Sequence, residues 1–227
     1  MPYPEPPIVD VYRLLIVDDH PVVRQGLTQM IEGEADLKVV ATASNATEAL
    51  VHLRSASFDL AIVDISLRGL SGIDLLKDFK NYHPKMPVLM FSIHDEMSYA
   101  ERALQAGARG YVMKHEPPER IIVAIRRVLD GCLVLSDATN SHLLSKALGN
   151  GRELSPPSNM VDPLSNRELE VFRLIGRALG TRDIAKQMHL SVKTVETYRG
   201  HIKKKLQLTT TPELMRAALS WLAQAES

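Results

Sequence analysis

The sequence is poor in cysteine and in aromatic side chains, and it carries no net charge. A single cysteine, Cys132, excludes a disulfide within the chain and fits a reducing cytoplasm, which is the compartment we expect. No apolar run approaches the roughly 18 residues of a membrane-spanning helix, so we expect no membrane partner. The eight histidines show no metal-ligand spacing, which argues against a zinc site. The remaining composition, 45% hydrophobic and 24% charged, is typical of a globular protein with one or two domains.

The zero net charge conceals two parts of opposite sign. From residue 163 onward, 11 Lys and Arg against 6 Asp and Glu give +5, whereas the preceding residues have 16 against 21, which gives −5. A basic part of a chain often faces a polyanion. The charge distribution therefore favours two domains, of which the second is the candidate for binding nucleic acid.

Apolar runs of strand length alternate with helical periodicity in the first part. The predicted strands are residues 13–18, 37–43, 59–64, 87–92 and 110–113. The predicted helices are residues 21–31, 46–55, 72–82, 96–106 and 118–130. Continuous apolar strands that each lead into a helix are typical of a parallel sheet covered on both faces. We therefore predict a doubly wound, flavodoxin-like α/β domain with five parallel strands over residues 1–135.

The alternation stops after this domain. A further helix is predicted at residues 136–148, and the stretch 149–163 is rich in Gly, Ser, Asn and Pro, so a linker with one helix is predicted over residues 136–162. Ser165 and Glu168 then form a capping box, Thr181 is predicted to cap a second helix and Ser191 a third. With a last helix at 212–223, residues 163–227 are predicted to be an all-α, four-helix domain.

Polar side chains follow four of the five predicted strands. Asp18 and Asp19 follow the first, Asp64 the third, Ser92 ends the fourth and Lys114 follows the fifth. Because a parallel sheet brings these strand ends to one edge, the side chains should share one pocket. Clustered carboxylates require a cation, and Mg²⁺ prefers oxygen ligands. Together with a lysine and a hydroxyl, the set is suited to phosphoryl transfer onto an aspartate.

Other interpretations of these residues are open. Each could be a helix cap or a surface charge, although Asp64 lies too far upstream to cap the helix that begins near Ser71. A nucleotide enzyme would use the same kind of sheet, but residues 19–21 (Asp-His-Pro) replace the Gly-rich turn that binds phosphates. A phosphatase with an aspartate nucleophile would want a second acid where Ser66 stands. A phosphorylated interaction protein that does not bind DNA is a further alternative, against which the basic helical domain argues.

The first domain resembles the receiver domain of bacterial two-component response regulators. The resemblance rests on residues 15–20 (LIVDDH), 60–72, 90–92 (MFS) and 110–114 (GYVMK). It implies that Asp64 accepts a phosphoryl group from a histidine kinase. It also implies that Asp19, Asp64 and the carbonyl of Ser66 hold Mg²⁺, with Asp18 contributing through water.

The same resemblance implies roles for the remaining pocket residues. Lys114 and Ser92 would contact the phosphoryl oxygens, and Tyr111 would be the aromatic side chain that rotates when Ser92 moves inward. Such a protein dephosphorylates itself but turns over no external substrate, so no enzyme activity is expected. Ile93 is large where many receivers have a small residue, which could slow the entry of water to the phosphorylated aspartate.

The second domain resembles the LuxR-type helix-turn-helix, through residues 164–171 (LSNRELEV), 183–185 (DIA) and 190–196 (LSVKTVE). Together the two halves resemble a NarL/FixJ-type response regulator. That resemblance implies a transcription regulator that phosphorylation activates and that binds double-stranded promoter DNA.

The third helix of this domain, residues 191–206, is the predicted reading helix. Val195, Tyr198, Ile202 and Leu206 follow the spacing of a core-facing stripe. The rest of the helix should enter the major groove, where Glu196 could accept a hydrogen bond from cytosine and lysines could contact phosphates. The predicted DNA-binding residues are Lys193, Thr194, Glu196, Thr197, Arg199, Gly200, Lys203 and Lys204.

The last helix carries a stripe of apolar residues at helical spacing. The stripe consists of Leu214, Ala217, Ala218 and Trp221. It could face its own domain, but the resemblance favours a homodimer on paired DNA half-sites that uses this helix. The unphosphorylated receiver is also predicted to mask the reading helix.

Overall fold

The computed structural model describes residues 11–148 and 158–225 of the chain. The first domain alternates strands and helices: β1 (Tyr12–Val17), α1 (Pro21–Glu32), β2 (Leu37–Ala43), α2 (Ala46–Ser55), β3 (Leu60–Val63), α3 (Gly72–Tyr82), β4 (Val88–Ser92), α4 (Glu96–Ala106), β5 (Gly110–Met113) and α5 (Pro118–Leu129). Then follow α6 (Asp137–Ala147), α7 (Ser158–Val161), α8 (Asn166–Gly176), α9 (Thr181–Gln187), α10 (Val192–Lys205) and α11 (Thr211–Ala225).

The five strands form one parallel sheet in the order β2-β1-β3-β4-β5, which confirms the predicted doubly wound fold. The four residues of β3 are all buried, because helices cover both faces of the sheet. The chain order reverses beside β1, and ligands bind such sheets beyond the carboxyl ends of the strands next to the reversal. The fold therefore places the ends of β1 and β3 beside each other.

The turn between β3 and α3 depends on close backbone approach. The amide of Gly72 donates to the carbonyl of Ile65 at 2.7 Å. A Cβ on Gly72 would lie 1.8 Å from the carbonyl oxygen of Asp64, which is closer than any atoms can pack. Gly72 is thus the residue that lets α3 begin directly behind Asp64.

The helical domain begins with the predicted capping box. Ser165 accepts from the amide of Glu168 at 3.3 Å, and the Glu168 carboxylate accepts from the amide of Ser165 at 2.7 Å. Ser191 caps α10, as predicted, by accepting from the amide of Thr194 at 3.0 Å. Thr181, however, is the first residue of α9 and not its cap; Gly180 holds the cap position without a side-chain hydrogen bond.

The stretch predicted as a linker contains a short helix that the sequence did not indicate. Residues 149–157 lie outside the described residues, but α7 follows them directly. Arg102 on α4 donates to the carbonyl of Val161 at 2.7 Å and to that of Leu164 at 2.6 Å. Contacts with the receiver domain, and not local helix propensity, thus hold α7 in place.

The apolar stripe on α11 packs within its own domain, which corrects its predicted use as a dimer surface. Leu214 and Ala218 are fully buried, Trp221 is 6% exposed and Ala217 is half-buried. The Trp221 ring lies 5.7 Å from that of Phe172 on α8. The spacing identified the face of α11 correctly, but α8 is the partner that covers it.

Candidate functional site

The acidic side chains predicted to meet do lie together. Asp18 and Asp64 directly follow β1 and β3, and the amide of Asp64 extends the ladder by donating to Val17 at 2.9 Å. One ligand atom from each of Asp18, Asp19, His20 and Asp64 lies within 4.8 Å of the others. The three carboxylates are buried, with exposures of 2%, 8% and 2%. The cluster is a deep acidic pocket at the carboxyl edge of the sheet.

Lys114 links two of these acids. Its Nζ lies 2.6 Å from Oδ2 of Asp18 and 2.7 Å from Oδ2 of Asp64. Burial alone would lower the pKa of Lys114, but the two carboxylates outweigh burial and raise it, so the ammonium stays charged. Burial raises the pKa of Asp64 to about 6, against the opposing effect of Lys114, and Asp18 adds to the rise. Asp64 is therefore mostly ionised at neutral pH.

The pocket fits a hard divalent cation. Oδ1 of Asp64 is buried without a hydrogen-bond partner, although its other oxygen is paired with Lys114. A buried carboxylate oxygen without a partner is costly unless a cation or a donor approaches it. Oxygen donors of this kind suit Mg²⁺, so the predicted ligands Asp18, Asp19 and Asp64 fit the ion.

Ser92 and Tyr111, the predicted switch residues, lie beside this pocket. Ser92 is fully buried, and its hydroxyl accepts from the amide of His94 at 3.2 Å. Tyr111 is 1% exposed, and its hydroxyl donates to the carbonyl of His94 at 2.8 Å. Ser92 and Tyr111 thus both contact the loop after β4, through His94. The rotation of Tyr111 stays a prediction.

Ser66 shows an unexpected contact. Its hydroxyl lies 2.5 Å from Oε1 of Glu170, on α8 of the helical domain, and 2.6 Å from Nε2 of His94. The position where an aspartyl phosphatase would carry a second acid therefore holds a hydroxyl already engaged on both sides. Neither His94 nor Glu170 was singled out from the sequence.

The helical domain presents the predicted reading face of α10. Val195 and Ile202 are fully buried, and Tyr198 and Leu206 pack against the same core, as their spacing predicted. On the remaining surface the side chains of Lys193, Glu196, Thr197 and Lys204 are exposed, Gly200 faces open space, and Thr194, Arg199 and Lys203 are half-buried. Lys205 instead lies 2.6 Å from Glu168, which fixes the end of α10 to α8.

The receiver does not cover the reading face in this structure, which differs from the masking that was predicted. Glu196, Thr197 and Lys204 remain exposed with both domains in place. The receiver contacts α8 instead, and every residue of α8 from Arg167 to Gly176 is buried. The contacts of the receiver with the helical half of the chain thus lie on α7, on α8 and just after α9, and not on the reading face.

The sequence did not indicate that the charged residues of α8 contact the receiver, because charged side chains on a helix usually face solvent. Arg167, Glu170 and Arg173 would ordinarily mark a solvent-facing side. Here they are 5–6% exposed, because the receiver lies against that side. The one sequence signal for this contact is that charged and apolar residues are mixed around α8, so that no side of the helix is uniformly polar.

Comparison with known proteins agrees with this architecture. The profile of the response regulator receiver domain matches residues 14–126, and that of the bacterial regulatory proteins of the luxR family matches residues 162–218. The oxygen regulatory protein NreC of Staphylococcus epidermidis is 34% identical over 210 residues, which cover 91% of this chain and 96% of that protein. The chain belongs to the NarL/FixJ family of response regulators.

Other relatives of this response regulator extend the comparison. NreC of Staphylococcus aureus is also 34% identical, over 211 residues. A two-component response regulator of the LuxR family from Aurantimonas sp. SI85-9A1 is 31% identical with a TM-score of 0.57, over 61% of this chain and 99% of that one. RcsB of Salmonella typhimurium, at 23% identity, shares the fold with a TM-score of 0.63 over 93% of this chain and 98% of that one.

The response regulator is accordingly a DNA-binding transcription regulator of a two-component system that phosphorylation activates. Within the described residues, no helix combines the length and apolar character needed to cross a bilayer.

Proposed function

We propose that Asp64 is the residue that accepts the phosphoryl group, from a histidine kinase. The single observation that supports this is the unpartnered, buried Oδ1 of Asp64 in a pocket where Lys114 holds the other oxygen. Oδ1 attacks phosphorus, the new O–P bond forms, and the P–N bond to the donor imidazole breaks. The electron pair stays on the imidazole nitrogen, which takes a proton from solvent.

The surrounding residues bind the cation and the phosphoryl oxygens during the transfer. Asp18, Asp19, Asp64 and the Ser66 carbonyl would hold Mg²⁺, which supplies positive charge that offsets the clustered acids and the phosphoryl oxygens. Lys114 contributes a fixed charge on the opposite side, and Ser92 contributes a hydroxyl donor. Because this chemistry modifies the protein once per cycle, no turnover of an external substrate is proposed.

The phosphorylated protein then binds promoter DNA through α10. The exposed lysines of that helix suit phosphate contacts, whereas Glu196 suits a base donor in the major groove. A regulator of this kind acts where the chromosome is, so we propose a cytoplasmic location. Solved complexes of RcsB include two dimers bound to two parallel DNAs, which supports a homodimer on DNA here as well.

The dimer surface that we propose on α11 is the exposed apolar surface beside its buried stripe. Met215 is 38% exposed and Leu219 is 44% exposed there, four residues apart on one face. A second copy of this chain would cover both side chains, since a C2 pair places the same patch on each partner.

Labelling with a small phosphodonor tests the proposed acceptor. Asp64→Ala should abolish labelling by acetyl phosphate in the presence of Mg²⁺, and Asp19→Ala should greatly reduce it because a cation ligand is lost. Asp130→Ala is the matched control, since Asp130 is exposed at the end of α5 and does not belong to the acidic cluster. Undiminished labelling of the Asp64→Ala protein would refute the assignment.

A further inference from the structure

Two histidines from different domains flank one buried carboxylate at the edge of the acidic pocket. Nδ1 of His20, in the receiver, lies 2.8 Å from Oδ1 of Asp19. Nε2 of His189, in the helical domain, lies 4.0 Å from Oδ2 of the same carboxylate. Each oxygen of Asp19 thus faces a different imidazole ring, and one of the two rings belongs to the DNA-binding domain.

Local structure holds both rings at the domain boundary. His20 occupies the N-cap position of α1, and its amide donates to Oδ1 of Asp18 at 2.8 Å. Its ring makes no cap hydrogen bond, so it can face the acids. His189 follows the end of α9 in the left-handed conformation, with a φ of 53°, and its amide donates to the carbonyl of Lys186 at 3.3 Å. This turn directs the His189 ring toward the receiver.

A cavity of about 80 Å³ lies between the domains at this point. Asp19 and His20 line it from the receiver, and Gln187 and His189 line it from the helical domain. Its volume is sufficient for an ion and a water molecule bound to that ion. The two histidines therefore border a space that a small ligand can occupy.

Asp19 lacks the partners that a buried carboxylate needs. The residue is 8% exposed, and its Oδ1 accepts no hydrogen bond. Nε of Arg68 lies 3.8 Å from Oδ2, too far for a hydrogen bond, and the Arg68 side chain is 57% exposed. A buried carboxylate oxygen without a donor is costly unless a cation approaches it. A cation beside Asp19 would remove this cost.

The charges around the cavity favour a cation on its receiver side. Three buried carboxylates face one ammonium there, that of Lys114. On the helical side, Arg167 is paired with Glu170 at 2.6 Å. The excess negative charge therefore lies on the side of the acidic pocket.

The nitrogen ligands indicate which class of cation fits. Mg²⁺ takes oxygen ligands, so an ion held by the acids alone would leave both imidazoles without a role. Imidazole nitrogen instead suits zinc and neighbouring transition metals. Two imidazoles and a carboxylate, with one position open to water, are a ligand set that zinc takes in proteins.

The distances are close to those that zinc requires. With bonds of about 2.0–2.2 Å, two ligand atoms of a tetrahedral ion lie about 3.3 Å apart. The separations from the Asp19 oxygens, 2.8 Å for His20 and 4.0 Å for His189, lie on either side of that value. The two side chains are 60% and 49% exposed, so small rotations of the rings can adjust both distances.

We propose that His20, Asp19 and His189 bind a Zn²⁺ ion that connects the two domains, with water as the fourth ligand. Neither histidine belongs to the residues proposed to hold Mg²⁺, and Asp64 is not a ligand, so the proposal does not depend on the function proposed for Asp64. The spacing of histidines in the sequence did not indicate this site, because its two histidines lie in different domains.

Titration of the full-length protein with zinc chloride, followed by isothermal calorimetry after removal of any histidine tag, tests the site. The protein should bind one equivalent in a buffer without Mg²⁺. His20→Asn and His189→Asn should each weaken binding by about tenfold or more, since loss of even an outer partner of a metal ligand typically costs 10- to 100-fold. Asparagine suits a helix N-cap and tolerates the left-handed conformation, so both variants should fold.

His201→Asn is the matched control. Nδ1 of His201 lies 3.7 Å from the Glu168 carboxylate, and its side chain is 59% exposed. It is thus a comparable pair of histidine and carboxylate without a second histidine facing it in the part of the chain that the structure describes, and its loss should leave Zn²⁺ binding unchanged. Mg²⁺ affinity, measured by the same titration, should also stay unchanged in His189→Asn, because Mg²⁺ prefers oxygen ligands.

Every other outcome would overturn the proposal. Loss of affinity in only one of the two variants would show that a single domain supplies the nitrogen ligands. Wild-type protein that binds no Zn²⁺, or variants that both retain full affinity, would exclude the site. An equal loss in His201→Asn, or an equal fall in the Mg²⁺ affinity of His189→Asn, would show an effect that is not specific to the proposed ligands. Should circular dichroism show that His189→Asn is unfolded, His189→Gly takes its place, because glycine adopts a positive φ readily.

Discussion

Gly72→Ala is expected to damage both the stability and the phosphorylation of this protein. The added Cβ would lie 1.8 Å from the Asp64 carbonyl oxygen, 2.8 Å from the Asp64 carbonyl carbon and 3.0 Å from Cγ1 of Val63. Two of these atoms are backbone, so no side-chain rotation can relieve the clash. Either α3 moves away from the sheet or Asp64 is displaced with its carboxylate.

The magnitude follows from the cost of inserting one carbon into a packed site. Overpacking costs about 1–3 kcal/mol, or more where backbone must shift. At roughly 4 °C for each kcal/mol, the unfolding transition of the receiver should fall by about 4–12 °C. The displaced carboxylate should also slow labelling by acetyl phosphate.

Gly26→Ala provides a matched control in the same domain. Gly26 is exposed within α1 and a Cβ there would meet no atom within 4 Å. The same substitution should therefore stabilise the receiver by about 0.4–1 kcal/mol, since alanine favours helix and restricts the unfolded chain. Differential scanning calorimetry of both variants gives the comparison. An equal rise in transition temperature for Gly72→Ala would refute the reasoning.

Three further outcomes are expected in the DNA-binding domain. Lys203→Ala should weaken binding to all DNA sequences and flatten the salt dependence of binding. Glu196→Ala should instead relax the preference at one base pair by roughly 1–3 kcal/mol. A binding-site selection in which both variants lose affinity for all sequences equally would contradict this division. Ser165→Ala removes the N-cap side chain of the capping box and should cost about 0.5–2 kcal/mol in thermal unfolding; no loss would show that the box is dispensable. Hydrogen bonds from the Thr209 amide, then the Thr209 hydroxyl, lower the pKa of Glu213 to about 2. The contact should therefore stabilise the start of α11 above pH 4.5, and this stabilisation should be lost as the pH falls toward 2. An NMR titration of the Glu213 carboxyl group checks this, and a titration midpoint near pH 4.5 would contradict it.

The receiver fold was predictable because its signals are local. Strands buried on both faces are apolar along their whole length, and glycine or proline stands at several helix ends. Gly107, for example, ends α4 in the left-handed conformation with a φ of 107°. The acidic pocket followed from the same pattern, since parallel strands must bring their carboxyl ends to one edge.

The relation between the domains was not predictable, since it depends on contacts between residues far apart in sequence. Glu170 and Ser66 are separated by 104 positions, yet their side chains are hydrogen-bonded. The stripe of Leu214 and Ala218 was identified as an apolar face, but periodicity cannot say whether a helix faces its own domain or a second copy. Both outcomes depend on what α8 packs against.

The two hydrogen bonds that Arg102 donates across the domain boundary have a consequence for the assembly of chimeric regulators. Its guanidinium binds the main-chain carbonyls of Val161 and Leu164, which every amino acid possesses. Side chains at those two positions can therefore change without loss of these hydrogen bonds, whereas the receiver must keep an arginine at position 102. Val161 and Leu164 are nevertheless buried, so an output domain from another regulator, joined at this point, needs apolar side chains of similar size at both positions to dock on this receiver.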